Sequence, residues 1–301
     1  MVGRDRGAAL SAATGRDRPI VVTGASGGIG HAVVVALLQR GFDVRAVTRS
    51  ADDAQRLRSE LDVPTVNMDL TSGAAVQQAT RDLAGAGSLY GLVNVAGVAL
   101  PGPLEQVPPE QLQRQLDVNV IGQLRVTQAL LPALRAGAEQ WGEARIVMMG
   151  SLDARIVGPL LGPYAASKLA LVGLSDALRA ELAPSRVRVL LLEPGAVATP
   201  IWRRGTAVLG RLQETRADRG GPHRRLMSFS RRHVSRLSEW GAPPHQVGEV
   251  VARMMVQRFP APRRVVGLDA TITAAALAVL PSRVIYGLAA LPARWSARQP
   301  H

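Results

Sequence analysis

The sequence predicts an α/β fold, a doubly wound parallel sheet with helices on both faces and a small covering lobe, and three observations carry the prediction. Short apolar runs of strand length alternate with helix-period patterns along most of the chain. A glycine-rich turn, Thr23 to Gly30, joins the first such run to the first helix. Aromatic residues are only 3% of a chain that is 47% hydrophobic, so Ala, Val and Leu must build the core. That composition suits helices packed on a buried parallel sheet. One large domain with a lobe and tails accommodates the 301 residues, and 20% charged residues exclude a wholly disordered chain.

Residues 1–18 hold Arg4, Arg6, Arg16 and Arg18 without an apolar run, which makes a flexible basic arm and a poor signal peptide. The domain proper runs from 19 to 267. Ile20–Thr23 reads as a strand, Gly24–Gly30 as the turn, and His31–Arg40 as a helix with Val34, Val35 and Leu38 on one face. Gly41–Phe42 turns the chain into a second strand, Val44–Thr48, completing a βαβ unit. Further strands are predicted at Thr65–Met68, Leu92–Val95, Ile146–Met149 and Val187–Leu192, with helices around Ala74–Leu83, Gln111–Leu134 and Tyr164–Leu182. After Pro194–Gly195 the rhythm stops, and the Arg-rich stretch 200–240 reads as a lobe before a last helix near Gln246–Gln257 and a last strand, Arg264–Gly267. Residues 268–301 form an apolar, helical tail. Its longest run free of charge and proline, Ala270–Leu280, is eleven residues, against the roughly 20 needed to span a bilayer. A docked or interfacial helix is the remaining role.

The formal charge of +13 is concentrated. Arg203 to Arg236 holds ten arginines against Glu214 and Asp218, a local excess of +8 (10 − 2). Cysteine is absent, which excludes disulfides, iron–sulfur clusters and thiolate zinc sites. His31, His223, His233, His245 and His301 share no ligand spacing, so no metal site is inferred. Of 36 basic residues, 35 are arginine and one is lysine, Lys168. A position that keeps the only lysine calls for a compact ammonium rather than a broad guanidinium. Tyr164 lies four residues before it, on the same face of a predicted helix. A phenol ionises near pH 10, and an adjacent cation lowers an acid's pKa by about 1–3 units, so the pair is an acid/base candidate. Ser151 ends a strand thirteen residues earlier, where its hydroxyl could hold a substrate oxygen.

The run Thr23-Gly24-Ala25-Ser26-Gly27-Gly28-Ile29-Gly30, then Asn94-Val95-Ala96-Gly97, Asn119, Ser151, Tyr164-Ala165-Ala166-Ser167-Lys168, and Pro194-Gly195 with Thr199 resembles the motif series of the short-chain dehydrogenase/reductase family. The resemblance covers about Pro19 to Gly267. Glu193-Pro194-Gly195 and Val266-Gly267-Leu268-Asp269 look like its hydroxysteroid- and retinol-dehydrogenase branch. Val95 departs from the family's second asparagine, and the long interval from Asn119 to Ser151 is expected to hold a loop near Ala136–Gly142.

The resemblance implies a Rossmann-type fold with a substrate-covering lobe, and a catalytic set of Ser151, Tyr164, Lys168 and Asn119, the last holding a water beside the lysine. It implies cofactor contacts from Thr23, Gly24, Ser26, Gly28, Ile29, Gly30, Arg49, Asp69, Asn94, Ala96, Gly97, Tyr164, Lys168, Pro194, Gly195 and Thr199. Asp69 would touch the adenine, and as a bare sequence feature it equally caps a helix. Thr48 and Arg49 at the end of the second strand offer a 2′-phosphate partner and no ribose-binding acid, which favours NADP(H) and leaves NAD(H) open. Trp202 and Trp240 flank the lobe, to line a cleft or to anchor a loop.

The leading expectation is a cytoplasmic oxidoreductase interconverting a small-molecule secondary alcohol and carbonyl, on a steroid-, retinoid- or lipid-like substrate. Alternatives are a reductase of 3-oxoacyl thioesters on a carrier protein or coenzyme A, and an NADPH-sensing regulator. A homodimer or homotetramer is implied. No nucleic-acid partner is expected, and the arginines at 203–236 present a surface to an anionic membrane or acidic carrier.

Overall fold

A computed structural model describes residues 18–85, 87–214, 223–228, 230 and 241–298. The first 17 residues, Trp240, His233, His301 and five arginines of the basic stretch (Arg216, Arg219, Arg231, Arg232 and Arg236) lie outside the described residues.

Seven strands form one sheet: β1 (Pro19–Thr23), β2 (Asp43–Thr48), β3 (Thr65–Asn67), β4 (Gly91–Asn94), β5 (Ala144–Met149), β6 (Val187–Pro194) and β7 (Arg263–Val266). Their order is β3-β2-β1-β4-β5-β6-β7, and every pairing is parallel. The Val- and Leu-rich runs are continuous rather than alternating because both faces are covered. β5 is buried along its whole length, including Arg145, whose guanidinium donates to the Met254 and Gln257 carbonyls and pairs with Glu143.

On one face α1 (Gly28–Leu38) packs against α8 (Pro244–Val256), and Val33, Val34 and Leu37 meet Val247, Val250 and Val251 in a single cluster with Ile20, Val22 and Val44. On the other face α3 (Gly73–Ala84), α5 (Gln123–Trp141) and α6 (Gly162–Leu182) bring Val76, Leu83, Val126, Leu130, Leu134 and Leu171 onto Val21, Leu92 and Ile146. The two cores fix the strand ends in space.

Three expectations are corrected. A helix, α2 (Ala51–Leu61), occupies a stretch the hydrophobic pattern leaves blank, because only Ala54 and Leu57 are buried in an otherwise charged segment. The predicted single helix from Gln111 is instead α4 (Pro109–Leu116), one π-helical turn (Asp117–Gly122) and α5. The expected loop near Ala136–Gly142 is the last part of α5, which runs to Trp141 and ends at left-handed Gly142. Gly137 is a packing residue there: Leu89 N–H donates to the Ala133 carbonyl at 2.9 Å, and a Cβ on Gly137 would stand 2.0 Å from the Leu89 oxygen.

Beyond β6, α7 (Pro200–Glu214) begins the lobe. Leu209 packs with Leu160, Leu226 and Met227, and His223 pairs with Glu105 at 2.7 Å. The tail folds as α9 (Leu268–Val279), α10 (Ser282–Ala289) and α11 (Leu291–Arg298). Only Ala270 of α9 and no residue of α10 is buried. Among the described residues no helix is long and apolar enough to cross a membrane.

Candidate functional site

The strand order reverses between β1 and β4, the switch point at which doubly wound sheets form a crevice outside the carboxyl ends of their strands. Gly24 leaves β1 with φ +67°, a conformation that favours glycine, and a Cβ on it would lie 2.7 Å from the Ala96 Cα. The turn thus runs hard against the chain leaving β4. Thr23 Oγ1 fastens that contact by accepting from Val95 N–H at 3.1 Å and Ala96 N–H at 3.3 Å. A Cβ on Gly28 would meet Thr199 Cγ2 at 2.8 Å, so the start of α1 and the chain after β6 share the same wall. Gly27, the residue before α1, supplies no side-chain cap, and the first amides of the helix are free of capping side chains. An N-terminus of this kind, walled by Ala96 and Thr199, fits a pyrophosphate.

Asn94 is fully buried and braces the site from below, its Nδ2 donating to Thr127 Oγ1 at 3.0 Å and approaching Met148 Sδ at 3.3 Å. The Pro194–Gly195 segment is held from the tail: Asp269, in the first turn of α9, accepts from Ala196 N–H at 2.8 Å. At the outer end of the crevice Arg49 is exposed after β2. Asp69 after β3 accepts from the Thr71 amide at 2.9 Å and hydroxyl at 2.7 Å. Those bonds, with a smaller contribution from the Arg49 charge, hold its carboxyl below the usual range. Ser26 reaches the Asp53 carboxylate of α2.

The chemical groups lie deeper. Ser151 follows β5, Tyr164, Ser167 and Lys168 stand on α6, and Asn119 lies in the π-turn. Lys168, 3% exposed, donates from Nζ to the Met149 carbonyl at 2.8 Å. Its nitrogen is 5.6 Å from the centre of the Tyr164 ring. Asn119 accepts from Val98 N–H at 2.8 Å and donates to Val98 O at 2.9 Å and Ser167 Oγ at 3.0 Å. A Cβ on Gly97 would be 3.3 Å from Asn119 Oδ1 and 3.9 Å from Lys168 Nζ, so these three positions converge. Pi-helical turns recur at functional sites, and this one delivers Asn119. Trp202, from α7, lies edge-on to Tyr164, ring centres 5.8 Å apart.

The electrostatics correct one expectation. Lys168 does not pull the Tyr164 phenol down in this arrangement. Burial, reinforced by the negative charge of Asp153, raises it well above its ordinary value, and only a hydrogen bond with Ser151 opposes them. The ammonium is turned to a backbone carbonyl and the ring rather than to the hydroxyl. Burial in turn lowers Lys168 to about 8, against an opposing pull from Asp153.

Sequence reasoning missed Asp153. It sits in the short 3-10 turn Leu152–Ala154, where its Oδ2 accepts from Ser151 Oγ at 3.0 Å. Its only sequence signal is an acid two residues beyond a strand-end serine, which is also an ordinary turn pattern.

Three comparisons place this geometry among known proteins. The family model described as short chain dehydrogenase matches residues 18–207. An NADPH-dependent 3-dehydrocapnine reductase of Ornithobacterium rhinotracheale is 33% identical over 273 residues, covering 89% of this chain and 94% of that protein. The human short-chain dehydrogenase/reductase family 9C member 7 is 30% identical over 284 residues, covering 89% of this chain and 87% of the relative. A short chain dehydrogenase from Burkholderia cenocepacia J2315, solved in complex with NADP, superposes with a TM-score of 0.67 at 25% identity, over 94% of this chain and 98% of the other.

Proposed function

The chain belongs to the short-chain dehydrogenase/reductase family, and on that premise we propose that it is an NADP(H)-dependent reductase that turns the carbonyl of a lipophilic substrate into a secondary alcohol. One observation carries the reading: Ser151, Tyr164 and Lys168 meet at the carboxyl end of the sheet, beside a glycine cradle that a pyrophosphate fits. Thr23, Gly24, Gly28, Ala96 and Thr199 would hold the phosphates. Arg49, exposed beside Asp69, supports a 2′-phosphate, as do the NADPH in one relative's name and the NADP bound by the Burkholderia protein. A bound nicotinamide supplies the hydride.

The chain's own residues manage the oxygen and its proton. Ser151 positions the carbonyl oxygen. Tyr164, held in the phenol form by burial, is the proton donor, which suits reduction better than oxidation. Lys168 has an ammonium near its midpoint around pH 8 and so can return a proton to the phenol side of the site. Asn119 fixes the backbone at Val98 and the neighbouring Ser167, keeping the wall around the ammonium rigid. Trp202 gives the substrate side of the phenol an apolar edge.

The test is NADPH consumption with a panel of carbonyl compounds. Tyr164→Phe should lower kcat by about 10²–10⁴-fold while NADPH affinity stays near that of the wild type. Full turnover in that variant sinks the mechanism.

A further inference from the structure

The helices after β7 turn an apolar face outward. Along α9, Leu268, Ile272, Ala275 and Val279 recur at steps of four, three and four residues, so they line one stripe, and all four are exposed, Ile272 at 61% and Val279 at 79%. The opposite side is fixed. Ala270 is buried, and Asp269 in the same first turn accepts from Ala196 N–H at 2.8 Å, so α9 cannot roll the stripe inward without giving up both contacts. α10 repeats the pattern with exposed Val284 and Leu288 four residues apart, followed by exposed Leu291 at the start of α11, and Tyr286 on the same short helix is 72% exposed. A surface helix ordinarily lays its apolar stripe on the core, and these two lay theirs on the outside.

Charge identifies what covers this face. Asp269 is the last acid in the chain, and Arg283, Arg294 and Arg298 follow it. Leu209, Leu226 and Met227, which pack with Ala293 of α11, belong to the stretch 203–236 with its sequence excess of +8 (10 − 2). The apolar stripes therefore stand in cationic surroundings on a chain of net charge +13. A second copy of the same face brings like charges together, whereas an anionic lipid surface takes both the apolar stripe and the arginines. Tyr286, an apolar ring with a polar hydroxyl, suits the boundary between hydrocarbon and water. α9 has 12 residues and is too short to cross a bilayer, so it lies along the surface.

We propose that α9 and α10 dock on an anionic lipid bilayer, with their stripes in the headgroup–acyl boundary and Arg283 and Arg294 on the lipid phosphates. An apolar stripe or a basic patch alone binds lipid marginally, and the two together give stable attachment. Through Ala293 the docked tail carries the lobe cluster to the lipid surface. Docking needs no turnover and is independent of the reductase reading.

Flotation of the full chain with vesicles of phosphatidylcholine containing about one-third phosphatidylglycerol, and with vesicles of phosphatidylcholine alone, tests this. The wild type should partition about tenfold or more in favour of the anionic vesicles. Ile272→Ser with Val279→Ser changes two exposed stripe residues and should lower that partition by about tenfold or more. Arg283→Ser with Arg294→Ser should lower it by about ten- to thirtyfold, since each arginine near an anionic surface contributes about fivefold. Melting curves matching the wild type show both variants to be folded. No wild-type flotation, equal flotation on the two vesicle types, or undiminished flotation of either variant overturns lipid docking. If the wild type stays off the vesicles and light scattering shows an oligomer that Ile272→Ser with Val279→Ser dissociates, the face belongs to a second copy of the chain.

Discussion

Lys168 shows what a single residue can announce. Its isolation among 35 arginines marks a place that needs a slim cation, and the structure seats it, 3% exposed, against the Met149 carbonyl beside Gly97 and Asn119. A guanidinium does not fit that space, so Lys168→Arg should reduce kcat at least as strongly as the loss of the phenol, measured alongside Tyr164→Phe with a matched melting curve. At the other end of the crevice, Thr48→Asp with Arg49→Ala exchanges a phosphate partner for a ribose acceptor. Loss of a charge-assisted phosphate contact, about 1.5–3 kcal/mol, should shift the NADPH-to-NADH preference in kcat/KM by about one to two decades. An unmoved preference would place the 2′-phosphate elsewhere. The nearness of Tyr164 to Lys168 and Ser151 was legible from a four-residue helical spacing and a strand end, while Asn119 entered through the family resemblance. Asp153 was not, because an acid in a turn has many bland uses and only three dimensions show that this one faces the phenol.

At the scale of elements, strand positions were legible to within a residue or two because the buried central strands leave apolar runs, and the two edge strands, β3 and β7, lie between helical patterns. Elements that bury little leave little trace. α2 was missed on hydrophobicity, yet Ser50 accepting from Asp53 N–H is the helix-start signal that should have revealed it. The π-turn is invisible in sequence, since one extra residue per turn changes no composition. β6 carries the element-scale prediction. Glu193 on that strand is wholly buried, accepting from Arg263 at 2.6 Å and from Arg155 at 2.6 and 3.1 Å, and it ties the turn after β5 to β7. Burial pushes its carboxyl up, and the two arginines more than offset this, leaving it below the usual range. Its folded-state pKa is therefore depressed, so its stabilisation is present above about pH 4.5 and is lost as pH falls through the folded value. Glu193→Gln should cost about 3 kcal/mol at pH 7, the lower end for a broken buried pair because both arginines can rehydrate. Circular dichroism melts from pH 7 to pH 3 should show the wild type and variant converging in acid; a constant gap would contradict the assignment.

Taken whole, the molecule is a rigid sheet with a loosely attached end. The tail helices expose Leu268, Val279 and Tyr286 at more than 70% each, while α11 meets the lobe cluster through Ala293, packed against Leu160, Leu209, Leu226 and Met227. Deleting residues from 281 onward should leave the melting temperature within a few degrees. The same deletion should raise KM for a bulky carbonyl substrate with NADPH affinity unchanged, because it removes a lobe contact and no sheet contact. Steady-state kinetics on full-length and shortened chains check this, and a collapse of NADPH binding would contradict it. The helical character of the tail was legible in its composition. Its attachment to the Pro194–Gly195 segment through Asp269 was not, since that bond joins residues 73 apart in sequence.

One consequence of the lone lysine belongs to protein chemistry. The chain has a single ε-amino group, and it is buried beside the Tyr164 ring and the Met149 carbonyl. With its midpoint near 8 rather than 10.5, about half of that group is the neutral, nucleophilic amine at pH 8, where surface lysines of ordinary proteins are almost wholly protonated. An acylating reagent therefore reads the occupancy of one site against no background from other side-chain amines. Mass spectrometry should find at most one ε-acyl group per chain, its rate of appearance rising through pH 8 and falling when NADPH is bound. Acylation indifferent to NADPH would separate the lysine from the cofactor cleft.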